Sequence, residues 1–168
     1  MTDLKYQNTA CCWHEAGHAI AKITLGLPFT RIVISGFGDG EVEVEPGQLE
    51  PPLFTLVSTY AGPTAELRWL HGETYPLVDR RESFYRDHAN DPQWFELDDN
   101  KCDYATIYTL RNRIGFTESP DFAESMARDI VERRWDDLSR LAVHLTQNGT
   151  TSLDEAWDVI RTGRVDSS

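Results

Sequence analysis

The sequence predicts a mainly helical α+β fold in one domain, with a small antiparallel β-sheet near the first helix and a long C-terminal helix. Three observations carry this expectation. Gln7 to Leu25 is apolar almost all the way round at helical spacing, the mark of a buried helix. Two short β-branched runs, Arg31 to Ser35 and Glu41 to Glu45, flank a glycine-rich turn. Beyond Leu53, apolar residues recur at helical spacing with neither an internal repeat nor a second-domain linker. A chain of 168 residues is long enough to bury about two-thirds of its unfolded surface. Apolar content of 40% and aromatic content of 11% argue against disorder.

In chain order, Asn8 or Thr9 is the expected N-cap of the first helix, and Gly26-Leu27-Pro28 ends it. Gly17, costly inside a helix by about 1 kcal/mol relative to alanine, implies close approach of another backbone or of substrate. Glu41-Val42-Glu43-Val44-Glu45 alternates strictly, giving a strand with one apolar and one acidic face. Its edge is suited either to receiving an extended peptide or to standing as a solvated strand defended by charge. Leu53 to Leu70 is helical in pattern, and Gly62-Pro63 predicts a kink or two shorter helices there. Residues 72–100 show no sustained period and read as a long surface loop bordering the cleft. A helix is expected from Asp103 to Ile114, then one long helix from Ser119-Pro120 to Asn148-Gly149. Thr151-Ser152 caps a last short helix, with residues 162–168 expected to fray.

The formal charge of −12 argues against nucleic-acid binding, which needs a basic face, and disfavours anionic membranes. No apolar run approaches the roughly 20 residues of a membrane span, and the N-terminus lacks the pattern of a signal peptide. Cys11, Cys12 and Cys102 are odd in number with two adjacent, so a disulfide framework is not expected and a reducing cytoplasm fits best.

The chemistry concentrates in His14-Glu15-Ala16-Gly17-His18, an H-E-x-x-H pattern inside the first helix. Histidines four residues apart project from one face, so one Zn²⁺ can accept both, with Glu15 beside the metal's open side as general base. The bland alternative is a pair of satisfied core histidines with a salt-bridging glutamate. A catalytic zinc takes three protein ligands, and His71, His88, His144 or a downstream carboxylate are the available third donors. Cys11 lies three residues before His14 on the same face, but reads as small core filling.

The text His14-Glu15-Ala16-Gly17-His18 through Gly26, followed by Arg31 to Gly36, resembles the peptidase domain of FtsH-type AAA+ zinc metalloproteases. So does Val57 to Glu66, which is similar to that family's small-residue helix ending in Ala-Glu. The resemblance extends more loosely through Arg113-Ile114-Gly115-Phe116 and the long helix, covering most of the chain. It implies a zincin-like peptidase fold over residues 1–168 and a third zinc ligand at Asp103, within Cys102-Asp103-Tyr104-Ala105-Thr106-Ile107. Asp98 and Asp99 stand close enough to compete for that place. Glu66 is then either an orienting partner of a ligand histidine or a structural ion pair, and Tyr60 and Tyr104 are candidates for stabilising an oxyanion. The family's ATPase module and membrane anchor have no counterpart in these residues, Pro63 stands where the family's helix is unbroken, and residues 72–100 differ in composition.

These readings lead to an expected zinc metalloendopeptidase acting on flexible polypeptide segments, with water activated by Glu15. A separate ATPase or a second copy of the chain are the partners the resemblance leaves open. The competing expectations are a catalytically silent binding or regulatory protein of the same fold, and a zinc amidase on a small substrate.

Overall fold

The structure, a computed structural model, describes residues 4–36, 38–78, 103, 106, 107, 110 and 120–165. Helix α1 (Leu4–Leu25) leads into a hairpin of β1 (Arg31–Ile34) and β2 (Gly40–Glu43), then helix α2 (Pro52–His71) and a short 3₁₀ turn (Gly72–Thr74). After the described part of the Asp103 segment come α3 (Pro120–Arg133), α4 (Trp135–Asn148), β3 (Thr151–Ser152) and α5 (Leu153–Val165). The architecture is α+β and mainly helical, with one three-stranded antiparallel sheet in the order β2-β1-β3. Among the described residues no helix is long and apolar enough to cross a membrane.

Helix α1 is central because it is apolar on most sides: Ala16, Ala19, Ile20 and Ala21 are fully buried. It packs against α2 and α4, and α3 packs on α2 and touches α1 as well. The α1–α2 approach is close because both helices present small residues. A Cβ on Gly17 would collide with the Ala61 carbonyl oxygen and lie 2.7 Å from the Ala65 Cβ. Gly17 therefore has the packing reason that its helix cost implied. At the outer margin of this contact Trp13 stacks between Trp69 and Trp135, with ring centroids 6.0 and 5.0 Å away.

Four local expectations are corrected. Helix α1 begins at Leu4, ahead of Gln7, and Asn8 is not its cap: the Asn8 Oδ1 instead accepts the Gly38 N–H at 2.8 Å and fixes the hairpin turn. Gly62-Pro63 does not divide α2, which runs unbroken to His71. A proline in a helix interior costs about 3 kcal/mol. Leu56, Val57, Tyr60, Ala61, Ala65 and Leu67, all buried, outweigh that cost at about 25 cal/mol per Å² of apolar surface. The expected long C-terminal helix is two helices, α3 and α4, separated at Arg134. Arg134 leaves helical geometry (φ −114°, ψ 23°) while its guanidinium bonds the buried Asp137 carboxylate at 2.8 Å and the Thr24 hydroxyl of α1 at 3.0 Å. Finally, helix α5 does not end before Thr162: it continues to Val165, the Thr162 hydroxyl bonds the Asp158 carbonyl at 3.0 Å, and residues 166–168 lie outside the described residues.

The hairpin pairs Arg31 with Glu43, Ile32 with Val42, Val33 with Glu41 and Ile34 with Gly40. The short strand β3 joins the other side of β1 and has a second role. Ser152 Oγ accepts the Glu155 N–H at 3.2 Å and Glu155 Oε2 accepts the Ser152 N–H at 2.9 Å, a reciprocal capping box that starts α5. Of the stretch 72–100, residues through Val78 are described. Tyr75 and Val78 are buried, and the Val78 N–H donates to the buried Glu124 carboxylate at 2.6 Å. The rest of that stretch lies outside the described residues, as do Tyr104, His88, Asp98 and Asp99.

Candidate metal centre

Two elements bring three side chains to one point. Helix α1 projects His14 and His18 from the same face, their rings 4.8 Å apart and edge-on. The third group, Asp103, is helical, as are the described residues after it, Thr106, Ile107 and Leu110. Ile107, one turn beyond Asp103 and fully buried, anchors that face in the core and so aims the carboxylate at α1. Asp103 Oδ2 lies 2.6 Å from His14 Nε2 and 3.1 Å from His18 Nε2. One donor atom from each of the three residues lies within 4.8 Å of the others.

Helix α2 supplies the supports. His14 Nδ1–H donates to Glu66 Oε2 at 2.9 Å, and His18 Nδ1–H donates to the Ser58 carbonyl at 2.7 Å. Both imidazoles are thereby turned so that Nε2 faces the shared point, the arrangement by which outer hydrogen bonds orient metal-ligating histidines. Glu66 thus meets His14 in a contact that serves either of the two roles foreseen for it, orienting partner or ion pair. Gly62 is as necessary as the bonds: any Cβ there would run into the His18 ring. Sequence reasoning read Gly62 as a helix breaker, and the Ser58 carbonyl has no side-chain signal at all. The small-residue run Ala61 to Ala65 beside the histidine helix was the available clue.

The electrostatics show what charge the site favours. The Ser58 carbonyl can only accept, so His18 Nδ1 carries a hydrogen and Nε2 holds either a lone pair or a second proton. The same holds for His14 against Glu66. Two lone pairs facing one carboxylate is repulsive, so the cluster needs positive charge at its centre. With protons alone, burial would depress both imidazoles. Asp103 and Glu66 outweigh it at His14, and Asp103 does so at His18, raising both above the ordinary range. Burial pushes the Asp103 carboxyl up, but His18 and His14 overcome it and hold the group well below the usual carboxylate range. A divalent cation meets the same need with neutral imidazoles. Tetrahedral zinc with bonds of about 2.0 Å sets its donors roughly 3.3 Å apart. The 3.1 Å separation is close to that, and the 2.6 Å one opens by a fraction of an ångström. The donor set fits the ion.

Glu15 is 6% exposed, and burial lifts its carboxyl above the ordinary range against the opposing pull of His18 and His14. Strand β2 begins over it: a Cβ on Gly40 would lie 2.5 Å from Glu15 Cγ and 2.8 Å from Cys11 Sγ. Cys11 is buried beside the cluster and is not among its donors, consistent with its reading as filling. The alternative histidines that are described stand elsewhere, His71 exposed at the end of α2 and His144 on α4 bonded by Asn148. Tyr60, a candidate for oxyanion stabilisation, is wholly buried in the core and offers no hydroxyl to a substrate.

No protein-family model and no curated protein matches this chain. The resemblance drawn from His14 to Gly26 and Val57 to Glu66 therefore rests on those residues.

Proposed function

We propose that the chain is a zinc-dependent metalloendopeptidase of FtsH-like, zincin-type construction, with His14, His18 and Asp103 as zinc ligands and Glu15 as general base. The observation that carries the reading is the convergence of His14 Nε2, His18 Nε2 and Asp103 Oδ2, from positions 85 and 89 residues apart, onto one point. Zinc bound there supplies Lewis acidity to water and to a scissile carbonyl. The protein's own groups do the rest. Glu66 and the Ser58 carbonyl fix the imidazoles, so no reorganisation is needed when the substrate arrives. Glu15, raised by burial, is suited to take a proton from the attacking water and return it to the departing amine. Strand β2, an edge of the sheet among the described strands, starts beside Glu15 and offers main-chain groups to an extended segment. A peptide is the substrate that uses both features together.

The test is bound zinc by elemental analysis together with cleavage of an unfolded protein such as casein. Wild type should hold about one zinc per chain and cut. Glu15→Gln should keep the zinc and lose the cleavage, and Asp103→Ala should lose both. Zinc without any Glu15-dependent cleavage would defeat the peptidase reading, and full zinc retention by Asp103→Ala would defeat the ligand assignment.

A further inference from the structure

We infer that Asn8 is a positioning residue for the substrate: by holding the Gly38 N–H it seats the start of β2 over Glu15, where Gly40 can pair with an extended peptide. The inference takes its substrate from the peptidase reading, but its geometry stands apart from it. Asn8, Cys11 and Glu15 occupy positions i, i+3 and i+7 of α1 and so form one stripe along the helix. All three meet the hairpin. Asn8 Oδ1 accepts the Gly38 N–H at 2.8 Å. A Cβ on Gly40 would lie 2.8 Å from Cys11 Sγ and 2.5 Å from Glu15 Cγ. The chain from Gly38 to Gly40 therefore runs down the stripe towards the metal centre.

The turn cannot hold that place by itself. Gly36 and Gly38 have φ of 86° and 80°, a region that glycine adopts freely and at a high cost in conformational entropy. The Ser35 N–H and hydroxyl both donate to the Asp39 carbonyl at 2.9 Å, which closes the turn on itself without tying it to α1. The Asn8 bond makes that tie. The Ser35–Asp39 bond also fixes which main-chain groups face outward. By antiparallel alternation Val33 and Glu41 bond each other, and Gly40 and Val42 direct their N–H and C=O away from β1. A peptide strand added there pairs first with Gly40, beside Glu15 and two residues from the Asn8 anchor. Without the anchor the turn is seated only part of the time, and apparent affinity falls by the seated fraction. One net hydrogen bond corresponds to about a fivefold change. A peptide already bound meets the same zinc ligands and the same Glu15, so the loss falls on KM and spares kcat.

The experiment measures anisotropy of a labelled, extended Val- and Thr-rich peptide titrated with zinc-loaded full chain carrying Glu15→Gln, so that turnover does not interfere. Asn8→Ala in that background should bind about fivefold more weakly. Asn8→Asp is isosteric and keeps an oxygen acceptor, so it should stay within about twofold of the parent. Alanine is the better helix former, so α1 itself is not weakened, and bound zinc and the urea midpoint should match the parent. Equal affinity of Asn8→Ala and its parent, Asn8→Asp binding as weakly as Asn8→Ala, or no peptide binding by the parent overturns the inference. Steady-state cleavage of the same peptide, with Glu15 restored, gives the second readout. Asn8→Ala should raise KM about fivefold with kcat unchanged, and a fall in kcat at constant KM overturns the inference. Asn8-dependent binding without any cleavage keeps the anchor and defeats the peptidase reading. Cleavage with a KM indifferent to Asn8 does the reverse.

Discussion

Replacing Gly62 by alanine is the sharpest probe of the metal centre, because the three atoms nearest the added methyl all belong to the His18 ring. Built on the backbone, its Cβ lies 2.8 Å from His18 Cδ2 and closer still to Cε1 and Nε2. Carbon atoms in contact prefer about 3.5–4.0 Å, so the ring must retreat by roughly 1 Å. It cannot pivot freely, since Nδ1 is held by the Ser58 carbonyl one turn earlier on the same helix. Alanine gains about 1 kcal/mol over glycine in helix propensity, and overpacking costs about 1–3 kcal/mol. The fold should therefore survive, destabilised by at most about 2 kcal/mol. Zinc should not fare so well. Loss of an outer hydrogen bond alone costs 10–100-fold in affinity, and displacing a ligand ring by about 1 Å should cost at least that. Competition against a chromophoric chelator measures the affinity, and urea unfolding of the same sample measures the fold. A folded Gly62→Ala protein with wild-type zinc affinity would show that His18 does not bind from this position.

Three further outcomes are expected. Glu66→Ala should lower zinc affinity about 10–100-fold in the same competition assay while leaving urea stability near wild type, because the lost contact orients His14 without carrying core packing. Gly17→Ala, despite the better helix former, should destabilise by about 1–2 kcal/mol in urea, since its Cβ meets the Ala61 carbonyl and Ala65; a stabilised variant would contradict the α1–α2 packing. Stability should also fall in alkali. Burial pushes the Cys11 thiol from 9.0 and the Tyr75 phenol from 10.0 to about 12 each. The native state thus holds protons that the unfolded chain releases first, and the associated stability is full below pH 9 and is lost as pH rises towards 12. Urea midpoints should decline above pH 9, less steeply in Cys11→Ala/Tyr75→Phe, and an equal decline in that variant would remove these groups as the cause.

What the sequence made legible follows the range of the forces involved. Helix α1, the hairpin and the helical content of α2, α4 and α5 are written in local periodicity, which reports burial directly. The break at Arg134 is not, because it is accompanied by contacts to Thr24, 110 residues away, and to Asp137. Strand β3 escaped notice because Thr151-Ser152 spells a helix cap, and it serves as a cap and as a strand at once. In the candidate site, His14, Glu15 and His18 share one turn of helix and could be read together. Asp103 entered only through resemblance, since nothing local ties it to residues more than 80 positions earlier. Gly62 was misread because Gly-Pro speaks of chain breaking, whereas here it answers a histidine on another helix.

The misreading points to how α2 is built. A helix that must approach α1 closely, hand a main-chain carbonyl to His18 and a carboxylate to His14, and still stay out of the His18 ring needs small residues along one face. Ser58, Ala61, Gly62 and Ala65 supply that face, and Glu66 completes it. Pro63 then has a place in the same arrangement. It withholds the N–H that would otherwise bond the Thr59 carbonyl, and α2 nevertheless continues unbroken past it. One turn before it, the Ser58 carbonyl accepts the His18 Nδ1–H at 2.7 Å while the helix continues on either side. The proline that departs from the resembling family's pattern thus sits in a helix whose backbone also bonds outward, through the Ser58 carbonyl, to His18.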